Sequence, residues 1–136
     1  MNFIGNNLIS EDGNALAFAQ LTGTGEISKS ITWRDLDFQL SHVARMLLDK
    51  TEPRDTALLI FNPGINFLIT FLGCLHAGVI PVPVPALDYA RLRHSVPRLQ
   101  KIIEDARSSV ILTEHESIDK VSSAISKYGS ININKI

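Results

Sequence analysis

The stretch "FLGCLHAGVIPVPVPALDYARLRHSVPRLQ", residues 71–100, decides the reading of the fold. Helical apolar spacing gives way at Gly78, an apolar run begins at Val79, and prolines follow at 81, 83 and 85. Glycine just past the last helical residue is a stop signal, because it adopts the left-handed conformation without a Cβ penalty. Proline has no N–H to give a sheet ladder, so a buried strand is not expected to tolerate three of them. The stretch therefore predicts a core strand from Val79 to about Val82, with the prolines marking where the chain leaves the sheet. Beyond it, Pro83 and Pro85 favour an extended, low-entropy path into the segment ALDYARLRH.

Upstream, TALLIF (56–61) is a continuous apolar run without alternation, the pattern of a strand buried on both faces of a parallel sheet. The turn NPG (62–64) leads into a helix from about Ile65 to Ala77 that is apolar nearly all round. One stripe of it, Asn66, Thr70, Gly73 and Ala77, either faces solvent or lets a neighbour approach closely at the two small residues. Further back, Thr32 with Asp35 forms a near capping box for a helix to about Asp49. Its inner face is Leu36, Leu40, Val43, Ala44 and Leu47. ALAFAQL (15–21) reads as a strand and GTGE (23–26) as a turn.

Downstream, Ser95 and Pro97 open a helix that turns Leu99, Ile102, Ile103 and Ala106 inward. SVILT (109–113) reads as a strand, and Thr113 with Glu116 as the cap of a helix with Ile118, Val121 and Ile125 inside. That helix is expected to end at Gly129, with a strand beginning at ININ (131–134). The alternation predicts an α/β fold of βαβ units with right-handed crossovers and a mainly parallel sheet. No repeat or low-complexity tract divides it, so residues 1–136 read as one unit without an internal boundary. A final strand without a successor is expected of a fragment whose sheet is completed by other chain.

An apolar content of 45% over 136 residues is enough for a real core. Thirteen Lys and Arg against fourteen Asp and Glu give a net charge of -1, which does not support a nucleic-acid or anionic-membrane binder. The single Cys74 excludes an internal disulfide and a cysteine-cluster zinc site. MNFIGNNLIS lacks the basic and long apolar regions of a signal peptide. The segment 65–80 is interrupted and too short to span a bilayer. A reducing, cytoplasmic setting is expected.

Catalytic motifs are scarce. GxGxxG, the GxxxxGK phosphate loop, HExxH, GxSxG and CxxC are all missing from the sequence. GTGE precedes no clear helix, so a hairpin turn outweighs a phosphate cradle there. The histidines at 42, 76, 94 and 115 have no metal-ligand spacing, and His76 suits the last turn of its helix through the macrodipole. Cys74 reads as a small core residue, and Glu104 with Asp105 as a solvated face. Neither catalytic nor metal-ligating residues are assigned. One local basic cluster stands out: Arg91, Arg93, His94, Arg98, Lys101 and Arg107. It is either the polar side of the helix from residue 97 or a contact for an acidic or phosphate-bearing partner.

Two runs carry a family resemblance. ITWRDLDFQLSHVARML (31–47) resembles the first core motif of the adenylate-forming superfamily, and FLGCLHAGVIPVPVPAL (71–87) resembles the second. Within it, ALLIFNPGINFLITFLGCLHAGVIPVPVPA and RLQKIIEDARSSVILT (98–113) are most similar to fatty acyl-AMP ligases. The resemblance runs from about residue 14 to 113. It implies the large N-terminal domain of such an enzyme, which uses ATP and Mg to join a fatty acid to AMP. The acyl group then passes to the phosphopantetheine of an acyl carrier protein. The family's phosphate loop, ribose-binding aspartate and catalytic lysine match no positions here, so this segment alone is expected to be inactive.

Two alternatives remain: the same region of a fatty acyl-CoA synthetase, and a free-standing α/β binding module. A fragment is expected to expose apolar surface or to form a homodimer through it or through a sheet edge. Segment 83–94 is expected either to wall the acyl or pantetheine entrance or to be a plain crossover. On the first reading Pro83, Pro85, Arg91, Arg93, Arg98 and Lys101 face the carrier side.

Overall fold

A computed structural model describes residues 12–126 and 133–135 of the chain. Two strands, β1 (Leu16–Leu21) and β2 (Ile27–Thr32), pair antiparallel. The remaining strands are β3 (Thr56–Phe61), β4 (Ile80–Pro85), β5 (Val110–Thr113) and β6 (Ile133–Lys135). They form one parallel sheet in the order β4-β3-β5-β6. Helices α1 (Trp33–Leu48), α2 (Ile65–Ala77), α3 (Leu92–Ala106) and α4 (Ile118–Ile125) complete the α/β fold.

Sequence periodicity explains the layering. From Ala57 to Phe61 every residue of β3 is buried, and successive side chains point to opposite faces. Ala57, Leu59 and Phe61 join Leu36, Leu40, Val43, Leu47, Ile65 and Ile69 of α1 and α2 in one cluster. Leu58 and Ile60 join Leu99 of α3 and Val121 and Ile125 of α4 in the other. Each fully buried leucine contributes about 1.5–3 kcal/mol, so a polar substitution on either parity strips one helix pair.

The cap of α1 is the one read from sequence: the Thr32 hydroxyl accepts from the Asp35 N–H at 3.2 Å and donates to Asp35 Oδ2 at 2.8 Å. Gly78 takes φ 74° after α2, and the Val79 N–H closes the helix end on the Cys74 carbonyl at 2.9 Å. The α2 stripe is a close approach: Thr70 is fully buried, and a Cβ on Gly73 would lie 2.5 Å from Val43 Cγ1 of α1.

The proline expectation is overturned. β4 runs from Ile80 through Pro85, so all three prolines lie inside the strand, opposite Ala57, Leu59 and Phe61. Among the described residues β4 is an edge strand whose one neighbour in the sheet is β3. Backbone N–H groups alternate sides along a strand, so prolines two apart all lack the donor on the same side. Ile80, Val82 and Val84 supply the other side, which bonds β3, and the missing donors face outward. The same residues keep another strand from pairing on that edge.

Two smaller corrections share one cause, a side chain bonding where local pattern does not reveal it. α3 begins at Leu92, not at Ser95. The Ser95 hydroxyl reaches back to the Asp88 and Arg91 carbonyls at 3.3 and 3.2 Å, and Pro97 sits inside the helix. Thr113 does not cap α4: its buried hydroxyl donates to the Ile60 carbonyl at 2.8 Å, tying β5 to β3. A short 3-10 turn at His115–Ser117 follows, and α4 ends at Ile125; Gly129 lies outside the described residues. The strand β2 carries mostly exposed residues and leaves no apolar signal to read.

Gly73→Ala gains about 1 kcal/mol of helix propensity but drives a Cβ into Val43. A net loss of about 1–3 kcal/mol is expected in denaturant melts, recovered in part by adding Val43→Ala. A more stable single variant would contradict the close contact. Burial pushes the Cys74 thiol up from 9.0 to about 12. The unfolded thiol ionises first, so stability is expected to fall as pH rises from 9.0 toward about 12, and Cys74→Ala should flatten that decline in pH-dependent melts.

Candidate functional site

In a parallel sheet, ligands gather at the carboxyl ends of the strands. Two cavities lie at that end. The first, of about 260 Å³, sits where β4 gives way to α3. Val84, Pro85, Leu87, Leu99 and Ile102 form its apolar lining, and Asp88, Arg91, His94 and Arg98 its polar one. Asp88 shapes the entry: its carboxylate accepts from the Ala90 N–H at 3.0 Å, and its carbonyl from the Arg91 N–H at 3.0 Å and the Ser95 hydroxyl at 3.3 Å.

The charge around this pocket is mainly positive, with Asp88 the one acid among its described lining residues. From the N-cap residue Arg91, the residues His94, Arg98 and Lys101 follow at intervals of three, four and three, which puts these last three on one stripe of α3 that starts beside the cap. All four are exposed. The first turn of α3 contains no acid, and its N-cap residue Arg91 makes no side-chain cap bond. Cationic groups therefore sit at the helix end whose dipole is already positive.

Of the residues expected to face the carrier side, the structure brings Pro85, Arg91 and Arg98 together at the pocket, and Lys101 continues their stripe. Pro83 lies two residues back on β4, exposed and outside the lining. Arg93 is exposed on another side of the helix. Arg107 is at the far end of α3, in a left-handed conformation with φ 48°.

The second cavity, of about 420 Å³, lies between the carboxyl ends of β3 and β5. From β3 the chain moves to β4 on one side, then returns past β3 to β5 and on to β6. That reversal makes the β3/β5 gap a topological switch point. Gln39, Asn62, Asn66, Glu114, His115 and Glu116 line it over a floor that includes Phe61, Ile69 and Thr70. Asn62 Nδ2 bridges to Glu114 Oε2 at 3.0 Å. Sequence reasoning missed this crevice, because its residues come from four separated segments that only the sheet assembles. The one local signal was polar residues directly after two apolar strands.

The β1–β2 hairpin is fastened to the rim of this crevice. Gly64 precedes α2 and has no side chain to cap it, so Gln20 Oε1 accepts from the Ile65 N–H at 3.2 Å instead. A Cβ on Gly64 would lie 2.8 Å from that oxygen. Lys29 Nζ donates to Asn66 Oδ1 at 2.8 Å from the same hairpin.

The pattern of the AMP-binding enzyme family matches residues 10–133. The chain belongs to that family. It is 34% identical over 116 residues to the medium-chain-fatty-acid–[acyl-carrier-protein] ligase JamA of Moorena producens (strain JHB), covering 85% of this chain and 19% of that protein. It is 32% identical over 104 residues to the long-chain-fatty-acid–AMP ligase FadD23 of Mycobacterium tuberculosis (strain CDC 1551 / Oshkosh), covering 75% of this chain and 17% of that one. The chain thus spans less than a fifth of the length of either relative. Among solved structures, it superposes on the fatty acyl-adenylate ligase of L. pneumophila in complex with acyl adenylate and pyrophosphate. The TM-score there is 0.75 at 26% identity, over 93% of this chain and 21% of that one. A Brucella canis acyl-CoA synthetase shares the fold at TM-score 0.72, 15% identity, and coverage of 92% of this chain and 21% of that one.

GTGE is the exposed tip of the β1–β2 hairpin, with Gly25 at φ 87° and no helix start behind it. Among the described residues no group of three or more His, Cys, Asp or Glu could hold a metal ion. No helix among them is long and apolar enough to cross a membrane.

Gln20→Ala should cost about 1 kcal/mol, the usual scale of a lost N-cap, and speed hydrogen exchange at the Ile65 amide. Unchanged exchange there would mean that Gln20 does not cap α2.

Proposed function

We propose that this chain is the incomplete N-terminal subdomain of a cytoplasmic fatty acyl-AMP ligase, inactive by itself. In the whole enzyme a fatty-acid carboxylate oxygen attacks the α-phosphorus of ATP, with Mg as counter-ion, and pyrophosphate leaves. The phosphopantetheine thiol of an acyl carrier protein then attacks the acyl carbon and AMP leaves. The observation that carries this reading is the 34% identity, over 85% of the chain, to a protein named as a fatty-acid–[acyl-carrier-protein] ligase. The acyl-CoA synthetase alternative rests here on a 15% identity that speaks for the fold alone.

The chain's own part is positioning. Its sheet supplies a rigid platform, and catalysis of this kind depends mainly on holding reactants in place and neutralising charge. The proline strand and the loop behind it form a wall at the carboxyl end of the sheet, beside the path of the acyl group or the pantetheine arm. The exposed apolar side chains Leu21, Ile27 and Phe38 are open to the remainder of the enzyme or to a second copy.

The test uses the polypeptide carrying this segment at its natural length. Incubated with ATP, Mg and a series of fatty acids, it should release pyrophosphate and form acyl-AMP, then acylate holo carrier protein in preference to coenzyme A. No acyl-AMP with any fatty acid would overturn the reading; acyl-CoA as main product would make it a synthetase. Replacing Pro83 and Pro85 together by alanine should leave acyl-AMP formation intact and weaken the preference for carrier over coenzyme A. Both quantities unchanged would remove the wall.

A further inference from the structure

The α3 stripe opposes the stability of its own helix. Arg98 and Lys101 are like charges three residues apart, a spacing that destabilises a helix by a few tenths of a kcal/mol, and Arg91 at the N-cap works against the dipole. A surface serving solubility alone would intersperse the two signs. Here Arg91, Arg98 and Lys101 bring three positive charges, with His94 between them, in a chain of net charge -1. Asp88, three residues before Arg91 and in the lining of the same cavity, and Asp105, four residues after Lys101, are the acids at the two ends of the stripe. From Arg91 to Lys101 the stripe is about 15 Å long, at 1.5 Å per helical residue. It borders a cavity with Pro85, Leu87, Leu99 and Ile102 in its wall, so a polar rim surrounds an apolar recess, the usual anatomy of a protein interface.

Building on the proposed function, we propose that Arg91, Arg98 and Lys101 form the docking ridge for an acidic surface of the acyl carrier protein, with the adjacent recess receiving an apolar side chain from it. The partner chemistry is a run of carboxylates, which guanidinium groups bind in bidentate fashion. The ridge steers encounter and sets the carrier's orientation, while adenylate chemistry proceeds elsewhere in the enzyme.

Fluorescence anisotropy with the natural-length enzyme and the host's own acyl carrier protein in its apo form reads docking without the phosphopantetheine arm. Arg91→Glu, Arg98→Glu and Lys101→Glu combined should raise Kd by at least about tenfold and flatten its dependence on salt. Acyl-AMP formation, measured by pyrophosphate release, should be unchanged. Unaltered apo-carrier affinity would overturn the ridge. So would weaker binding of free 4′-phosphopantetheine with normal binding of apo carrier, because the stripe would then hold the arm's phosphate. A wild-type enzyme that binds carrier but makes no acyl-AMP would sink the proposed function and leave the ridge standing. Should the triple variant melt early, Lys101→Glu paired with acid-to-lysine changes on the carrier keeps the test: restored affinity supports docking, and none refutes it.

Discussion

Burial of Ala57–Phe61 on both faces at once is the constraint on which the rest of the structure depends. A strand without a polar side must be covered by a layer on each side. α1 and α2 cover one face, α3 and α4 the other. The two layers meet different demands. The first tightens at one point, where Gly73 lets α2 close on Val43 of α1. In the second, Leu99 is the one buried side chain among the described side chains of α3. That lighter anchoring leaves much of the α3 surface exposed.

Polar groups tie this sandwich together where apolar packing cannot. Thr113 is fully buried, and a hydroxyl there would be costly unless bonded; it donates to the carbonyl of Ile60 on the neighbouring strand. Asn62 and Glu114 make a second link one residue beyond each strand. Gln20 does the same for the start of α2 from a hairpin 45 residues away. These bonds sit at the carboxyl end of the sheet and fix its loops in register.

Membership of the AMP-binding enzyme family gives the carboxyl end its meaning. Relatives sharing this segment are more than five times as long as the part that matches it, and the role proposed for the segment is that of a support and edge for chemistry located elsewhere. The proline strand suits that role. It is stiff, cannot be extended by another strand, and ends in an apolar recess beside a cationic stripe.

Local chemistry alone determined much of this. The bounds of β3 and α2, the Thr32 cap and the five inner residues of α1 were all legible, because each depends on periodicity or on a bond to a residue within four positions. The family motifs around residues 31–47 and 71–87 were equally plain. Only the tertiary structure decided the fate of the prolines, since tolerance depends on whether β4 has one neighbour or two. It alone decided that Thr113 bonds Ile60 rather than capping α4, and that Gln20 rather than a neighbour caps α2. It alone gathered Asn62, Asn66 and Glu114 at one crevice and separated Arg93 and Arg107 from the other basic residues. In each case the deciding partner lies across the sheet or on the far side of a helix, a distance that sequence spacing does not encode.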